Sequence, residues 1–158
     1  MPLVLCRVDD RLVHGQVIVG WGRPLRAERI VLVDDVVAAS AWEQDLYRMA
    51  TPPSIVLDVR SVAAAIAELD AIAADPRRTL IVLGDLPAVR ALHAANPVVV
   101  REINLGGIHH TAGRRERLPY LFLTDAELGD MRALVASGAV VQAQDVPTAA
   151  PVSLAEIA

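Results

Sequence analysis

The sequence has no lysine: its fifteen basic residues are all arginine, set against nineteen acidic residues. This removes Schiff-base chemistry and the lysine that reaches the phosphates in a nucleotide-binding P-loop. The formal net charge is -4, and no basic stripe answers a phosphate backbone, so nucleic acid is not an expected partner. Cysteine occurs once, as Cys6, which excludes an intrachain disulfide. Its place in the apolar run Pro2 to Val8 reads as a small buried hydrophobe. Aromatic residues are only 3% of the chain, and Trp21 and Trp42 both read as packing residues. Long apolar runs are also missing. No uncharged stretch reaches the roughly 18 residues of a membrane span, and Arg7, Asp9, Asp10 and Arg11 interrupt the N-terminus before a signal sequence could form. A cytoplasmic location is the expectation.

What is present is the pattern of one α/β domain over residues 1–158. Short apolar runs alternate with Ala-rich segments of helical character, as in strands joined by crossover helices. The predicted strands are Leu3–Val8, Arg29–Val33, Ser54–Val59, Thr79–Leu83, Val99–Asn104, Tyr120–Leu123 and Ala139–Gln142. Leu3–Val8 and Ile30–Val33 are apolar on successive positions, which suits strands covered on both faces and a mainly parallel sheet. Helices are predicted at Gly15–Trp21, Val36–Ala50, Val62–Ala74, Leu86–Ala95 and Asp125–Ser137, with a last short one after Pro151. Thr124 with Glu127 forms a capping box, Asp85 before Leu86 and Pro87 is an N-cap, and Gly138 is a C-terminal stop.

The segment Arg7-Val8-Asp9-Asp10-Arg11-Leu12-Val13-His14-Gly15-Gln16 carries the chemistry. A buried strand runs directly into polar residues, a histidine and a glycine, and open parallel sheets place their ligand crevice beyond strand C-termini. A neutral imidazole is a nucleophile near pH 7, and its phosphorylated form can pass the group on, so His14 suits phosphoryl acceptance. Arg11 supplies a guanidinium fork for the charge spread over the phosphoryl oxygens. Gly15 permits close backbone approach, while Asp9 or Asp10 orients the arginine or accepts the second imidazole N–H. A solvated ion-pair cluster and a metal site at His14, His109 and His110 compete with this reading, but no ligand spacing completes a metal set.

The run Val8 to Val17 resembles the phosphorylation-site motif of enzyme IIB components of the mannose/fructose/sorbose family of the phosphotransferase system (PTS). Asn104-Leu105-Gly106-Gly107-Ile108-His109 is similar to a second family loop, and Gln144-Asp145-Val146-Pro147 to a third. The resemblance spans essentially the whole chain. It implies a three-layer fold with a central, mainly parallel sheet flanked by helices. It implies that His14 takes phosphoryl from a phosphorylated IIA component and gives it to a sugar held by membrane IIC and IID components, with peripheral membrane association and with no cofactor or metal. The motif carries catalytic roles to His14, Arg11 and Asp10, and less firmly a phosphate contact to Gln16. Gly15, Gly107 and His109 are expected to line the same phosphate pocket, and the Arg114, Arg115 and Arg117 cluster to steer a partner or simply be solvated. A regulatory phosphodomain using the same histidine without sugar transport is the alternative. Histidine phosphatases and mutases use Arg directly before His-Gly, which is absent here.

Overall fold

Strands that are apolar at every position must be covered on both faces, and the sheet is built accordingly. The structure, a computed structural model describing residues 3–157, has β1 (Leu3–Val8), β2 (Arg29–Val33), β3 (Val56–Arg60), β4 (Thr79–Leu83), β5 (Glu102–Leu105), β8 (Val140–Ala143) and β9 (Val152–Ser153) in one sheet of order β3-β2-β4-β1-β5-β8-β9. All pairs are parallel except β8 with β9. Ile30, Leu32, Leu80 and Val82 enter one apolar cluster, which includes Val17 and Trp21. Their neighbours Val31, Val33, Ile81 and Leu83 enter a second cluster with residues of α3 (Val62–Ala74), α4 (Leu86–Ala95) and α5 (Asp125–Ala136). The period of two along each strand therefore feeds two cores on opposite faces.

The chain turns at β1. After β4 pairs on one side of β1, β5 pairs on the other, so Val8 faces Leu83 and Leu105 at the same sheet edge. That is a topological switch point, where the loops beyond the strand ends part to leave a crevice.

Most predicted elements stand, with β1, β2, β4, α3 and α4 at the predicted bounds. Four differ. The segment predicted as a helix over Gly15–Trp21 is a π-helix, Gln16–Gly22, with Arg23 N–H donating to the Ile18 carbonyl at 3.1 Å. The helix predicted at Val36–Ala50 is two, α1 (Asp35–Ala38) and α2 (Ala41–Ala50), because Asp34 caps the first and Ser40 accepts from Glu43 N–H to start the second. The strand predicted at Tyr120–Leu123 is β7 (Leu121–Leu123), which leaves the main sheet to pair antiparallel with β6 (Arg115–Leu118), a strand not predicted. Trp42 is not a packing residue: it is 70% exposed beside Leu46 and Met49 on the outer side of α2, whereas Trp21 is buried. The predicted last helix is α6 (Leu154–Ile157).

Cys6 is buried, and burial pushes its thiol up to about 12, so it is an inert core residue. Local signals hold the helix starts. Thr124 and Glu127 satisfy each other's backbone N–H groups at 3.0 Å, and Asp85 accepts from Ala88 N–H at 2.9 Å. Thr124→Ala is expected to cost about 1 kcal/mol and to lower Tm by roughly 2–4 °C, measured by thermal unfolding. An unchanged Tm would show that the box contributes nothing.

Candidate active site

The site begins where β1 ends in a buried carboxylate. Asp9 has no solvent exposure, and an ionised carboxylate there must be balanced from within. It accepts the Arg11 backbone N–H at 3.1 Å, the Arg11 Nε–H at 3.4 Å and the Gly107 N–H at 3.3 Å. The Arg7 guanidinium lies 3.5 Å away and the imidazole Nε2 of His14 3.4 Å away. Burial alone would raise the Asp9 carboxyl, but the hydrogen bonds from Arg11 and the charges of His14 and Arg11 outweigh it and hold it below its usual range. The turn is tight: Leu12 takes a positive φ of 59° and its N–H returns to the Asp9 carbonyl at 2.9 Å. A left-handed leucine costs of order 1–2 kcal/mol, and the doubling back it allows brings His14 over Asp9.

His14 is oriented by the chain on either side of it. The Gln16 backbone N–H donates to Nδ1 at 3.2 Å, so Nδ1 carries the lone pair and the proton of the neutral ring sits on Nε2, facing Asp9. The Nε2–Asp9 contact has the distance of an ion pair but not the direction of a hydrogen bond. The His14 side chain is 19% exposed and that of Arg11 40%, so His14 lies mostly below the surface rather than on an open loop. Burial pulls the imidazole below the ordinary histidine value; Arg11 and Arg7 add to this, and Asp9 opposes it.

Gln16 joins two sides of the site. Its carbonyl accepts from Arg11 Nη2 at 3.1 Å, and its amide donates to the Asp145 carboxylate at 2.9 Å. Gly15 has an ordinary helical backbone, and a Cβ there would meet nothing within 4 Å, so the space beside it is open. Gly107 forms the second wall: a Cβ there would lie 3.4 Å from Arg11 Nη2 and 3.6 Å from Asp9 Oδ1. Neither Gly106 nor Gly107 has positive φ. Close approach, not an unusual backbone angle, is what their positions require. Asp10 turns away from His14. Its carboxylate takes the His109 N–H at 2.7 Å and His109 Nδ1 at 2.6 Å, tying the two loops together with the His109 side chain 62% exposed. Residue types left Asp9 and Asp10 as alternatives for orienting the arginine and the imidazole, and the family motif carried a catalytic role to Asp10; it is Asp9 that touches both, while Asp10 bonds His109.

The sequence reading missed Arg7, which lies fully buried under the site, and assigned no contact to Asp145. A charged residue inside an apolar strand run was the available signal, since such a charge must find partners in the fold. The arginine cluster is paired internally, three guanidinium groups on two carboxylates: Arg114 with Glu127 at 2.9 Å, and Arg115 and Arg117 both with Asp125 at 2.7 and 3.1 Å. His110 is exposed and packs edge-to-face on Phe122. Among the described residues no group of His, Cys, Asp and Glu is placed to hold a metal, and no helix is long and apolar enough to cross a membrane.

Comparison with known proteins places this arrangement. Residues 3–158 match the family model described as the PTS system sorbose subfamily IIB component. The chain is 29% identical over 147 residues to the N-acetylgalactosamine-specific phosphotransferase enzyme IIB component 1 of Escherichia coli K12, covering 92% of this chain and 91% of that protein. It is 26% identical to the E. coli K12 PTS mannose-specific EIIAB component over 94% of this chain but only 46% of that longer protein. The crystal structure of the IIB domain of the Klebsiella pneumoniae sorbose permease superposes with a TM-score of 0.90 at 25% identity, covering 99% of this chain and 96% of that one. The buried carboxylate, the oriented histidine and the glycine wall thus sit in a sugar phosphotransferase component: the chain belongs to the sorbose subfamily of PTS IIB components.

Proposed function

We propose that His14 is the phosphoryl-carrying residue of this IIB component, working as one domain, and that Nδ1 is the atom that takes the group. The observation that carries this is the Gln16 N–H bond to Nδ1. It marks Nδ1 as the unprotonated nitrogen; the N–H that engages its lone pair is released on attack and is then free to meet a phosphoryl oxygen.

In the transfer, the Nδ1 lone pair attacks phosphorus as the bond from phosphorus to the donor's nitrogen breaks, and that nitrogen recovers the bonding pair. The His14 ring, still protonated at Nε2, becomes cationic, and Asp9 at 3.4 Å stabilises that charge. The Gln16 N–H, released from Nδ1, turns to a phosphoryl oxygen. Arg11 is already fixed through Nε to Asp9 and through Nη2 to Gln16, and neither bond uses Nη1. Its fork is therefore held ready beside the pocket, with little ordering left to do during the reaction. Gly15 and Gly107 keep the approach free of side chains, and Asp10 with His109 fixes the outer wall.

The donor in this reading is a phosphorylated IIA component. The match to less than half of a relative named as a combined EIIAB supports that pairing, because there A and B activities share one chain. The acceptor is a sugar held by IIC and IID membrane components, with this protein associating at the cytoplasmic face. The chain's own residues do the chemistry, with no nucleotide or metal in the step.

Intact-mass analysis after incubation with phosphoenolpyruvate, the general phosphotransferase proteins and a IIA component is expected to show one acid-labile phosphoryl group on wild type and none on His14→Ala. Labelling of His14→Ala would remove the assignment. Arg11→Ala is expected to accept phosphoryl roughly tenfold to a hundredfold more slowly, and to lower Tm as well, because the buried Asp9 loses one of its two guanidinium partners. The pH dependence has a definite sign. Protonated imidazole has no lone pair, and the His14 value is lowered, so the rate rises with pH through a midpoint below the free-histidine value of about 6.5 and is flat above it. Initial rates between about pH 5 and 8 test this, and a midpoint above the free value would contradict it.

A further inference from the structure

Among the described residues, Arg7 is the largest side chain that is completely buried, and it is a cation. Its strand register sets it beside Asn104 of β5, whose side-chain carbonyl accepts from Nη1. Nη1 also donates to the Gln144 carbonyl at 2.8 Å, and Nη2 to the Asp145 carbonyl at 3.1 Å and the Asp9 carboxylate at 3.5 Å. One face of the guanidinium lies against the Trp21 ring, 4.7 Å from its centroid. Gly106 is pressed close against it, since a Cβ there would overlap Nη2, Cζ and Nε of the guanidinium. The Trp21 indole N–H and the Gln16 amide reach the same Asp145 carbonyl, each at 3.2 Å.

These contacts join the three loops that build the site: the one after β1, the one after β5 and the one after β8. They are more than core packing requires. Burying a guanidinium has a cost that an apolar side chain of the same volume avoids, and the planar fork fixes directions that an ammonium cannot.

We propose that Arg7 is a positioning residue for phosphoryl transfer, holding from beneath the Asp9 carboxylate that orients His14 and the Gln144–Asp145 turn that anchors Gln16. The proposal rests on His14 being the acceptor. Arg7 touches neither phosphoryl group nor partner; it acts through Asp9 and Asp145. Removing its charge hands more of the Asp9 carboxylate to His14. The charged groups facing the imidazole are Asp9, Arg11 and Arg7, with Asp145 and Tyr120 acting on Arg7. Loss of either arginine would free part of Asp9 and withdraw a positive charge, but Arg7 does so from beneath, with no exposure to the pocket.

Arg7→Lys and Arg7→Met test this in the full chain. Single-turnover phosphorylation of Arg7→Lys at increasing concentrations of phosphorylated donor is expected to show an unchanged half-saturation and a maximal rate lower by at least about tenfold. NMR titration of His14 in unphosphorylated protein should give a midpoint moved upward in Arg7→Met and restored towards wild type in Arg7→Lys. A purely structural role would lower Tm without moving that midpoint. Folded Arg7→Lys that accepts phosphoryl at the wild-type maximal rate overturns the proposal, as does a folded Arg7→Met with an unmoved midpoint. If neither variant folds, Asn104→Ala, which frees one side of the guanidinium and keeps its charge, carries the test: a slower maximal rate supports the proposal and a wild-type rate overturns it. The two readings fail separately, because wild type that does not label at His14 removes the acceptor assignment, whereas normal wild-type labelling with full-rate Arg7→Lys removes only the role of Arg7.

Discussion

A carboxylate cut off from solvent has to be balanced by its neighbours, and much of the local architecture follows from how Asp9 meets that demand. Two guanidinium groups, two backbone N–H groups and one imidazole surround it. Each must come from a different place: Arg7 from within the strand, Arg11 from the turn, Gly107 from the neighbouring strand's loop. Satisfying one buried charge therefore fixes the relative positions of three chain segments. The imidazole is the partner left with a function to spare, because its second nitrogen faces outward to the Gln16 N–H.

The sheet supplies the frame for this arrangement. Because β1 is flanked by β4 and β5, which enter from opposite sides, the segment after β1 has room to fold back on itself instead of crossing immediately to the next strand. Leu12 in its left-handed conformation makes that fold-back, and its buried side chain presses towards Gly84, where a Cβ would lie 3.1 Å from Leu12 Cδ2. The residue after β4 is thereby part of the same structure as the turn that leads into His14. The π-helix that follows turns Trp21 under the site, where it covers Arg7 and binds Asp145.

The parts of the fold legible in the sequence are those decided within a few residues. β2 and β4 are apolar at every position or nearly so, and Asp85 and Thr124 mark helix starts by side-chain bonds spanning three residues. His14, Arg11 and Gly107 do lie together around Asp9, and it was the resemblance of the motif, more than residue type and spacing, that pointed to them. What was not legible is set across the chain. β6 is half polar, Arg-Glu-Arg-Leu, and exists because Leu121–Leu123 pairs with it. The break between α1 and α2 turns on whether Ser40 points back to cap, which composition does not decide. Trp42 has no covering element, and an aromatic on a helix reads as core until its neighbours are known. The choice of Asp9 over Asp10 depends on which of two adjacent side chains faces inward past β1.

The buried arginine has a consequence for how the protein comes into being. Its partners at Asn104 and Gln144 lie 97 and 137 positions along the chain, so the network cannot close until β1, β5 and β8 are side by side. Contacts of such long sequence separation are entropically costly and slow to form. A chain interrupted before β8 holds the whole histidine motif but lacks the carbonyls that fix the guanidinium beneath it. On the roles proposed for His14 and Arg7, competence to carry a phosphoryl group arrives only with the last strands.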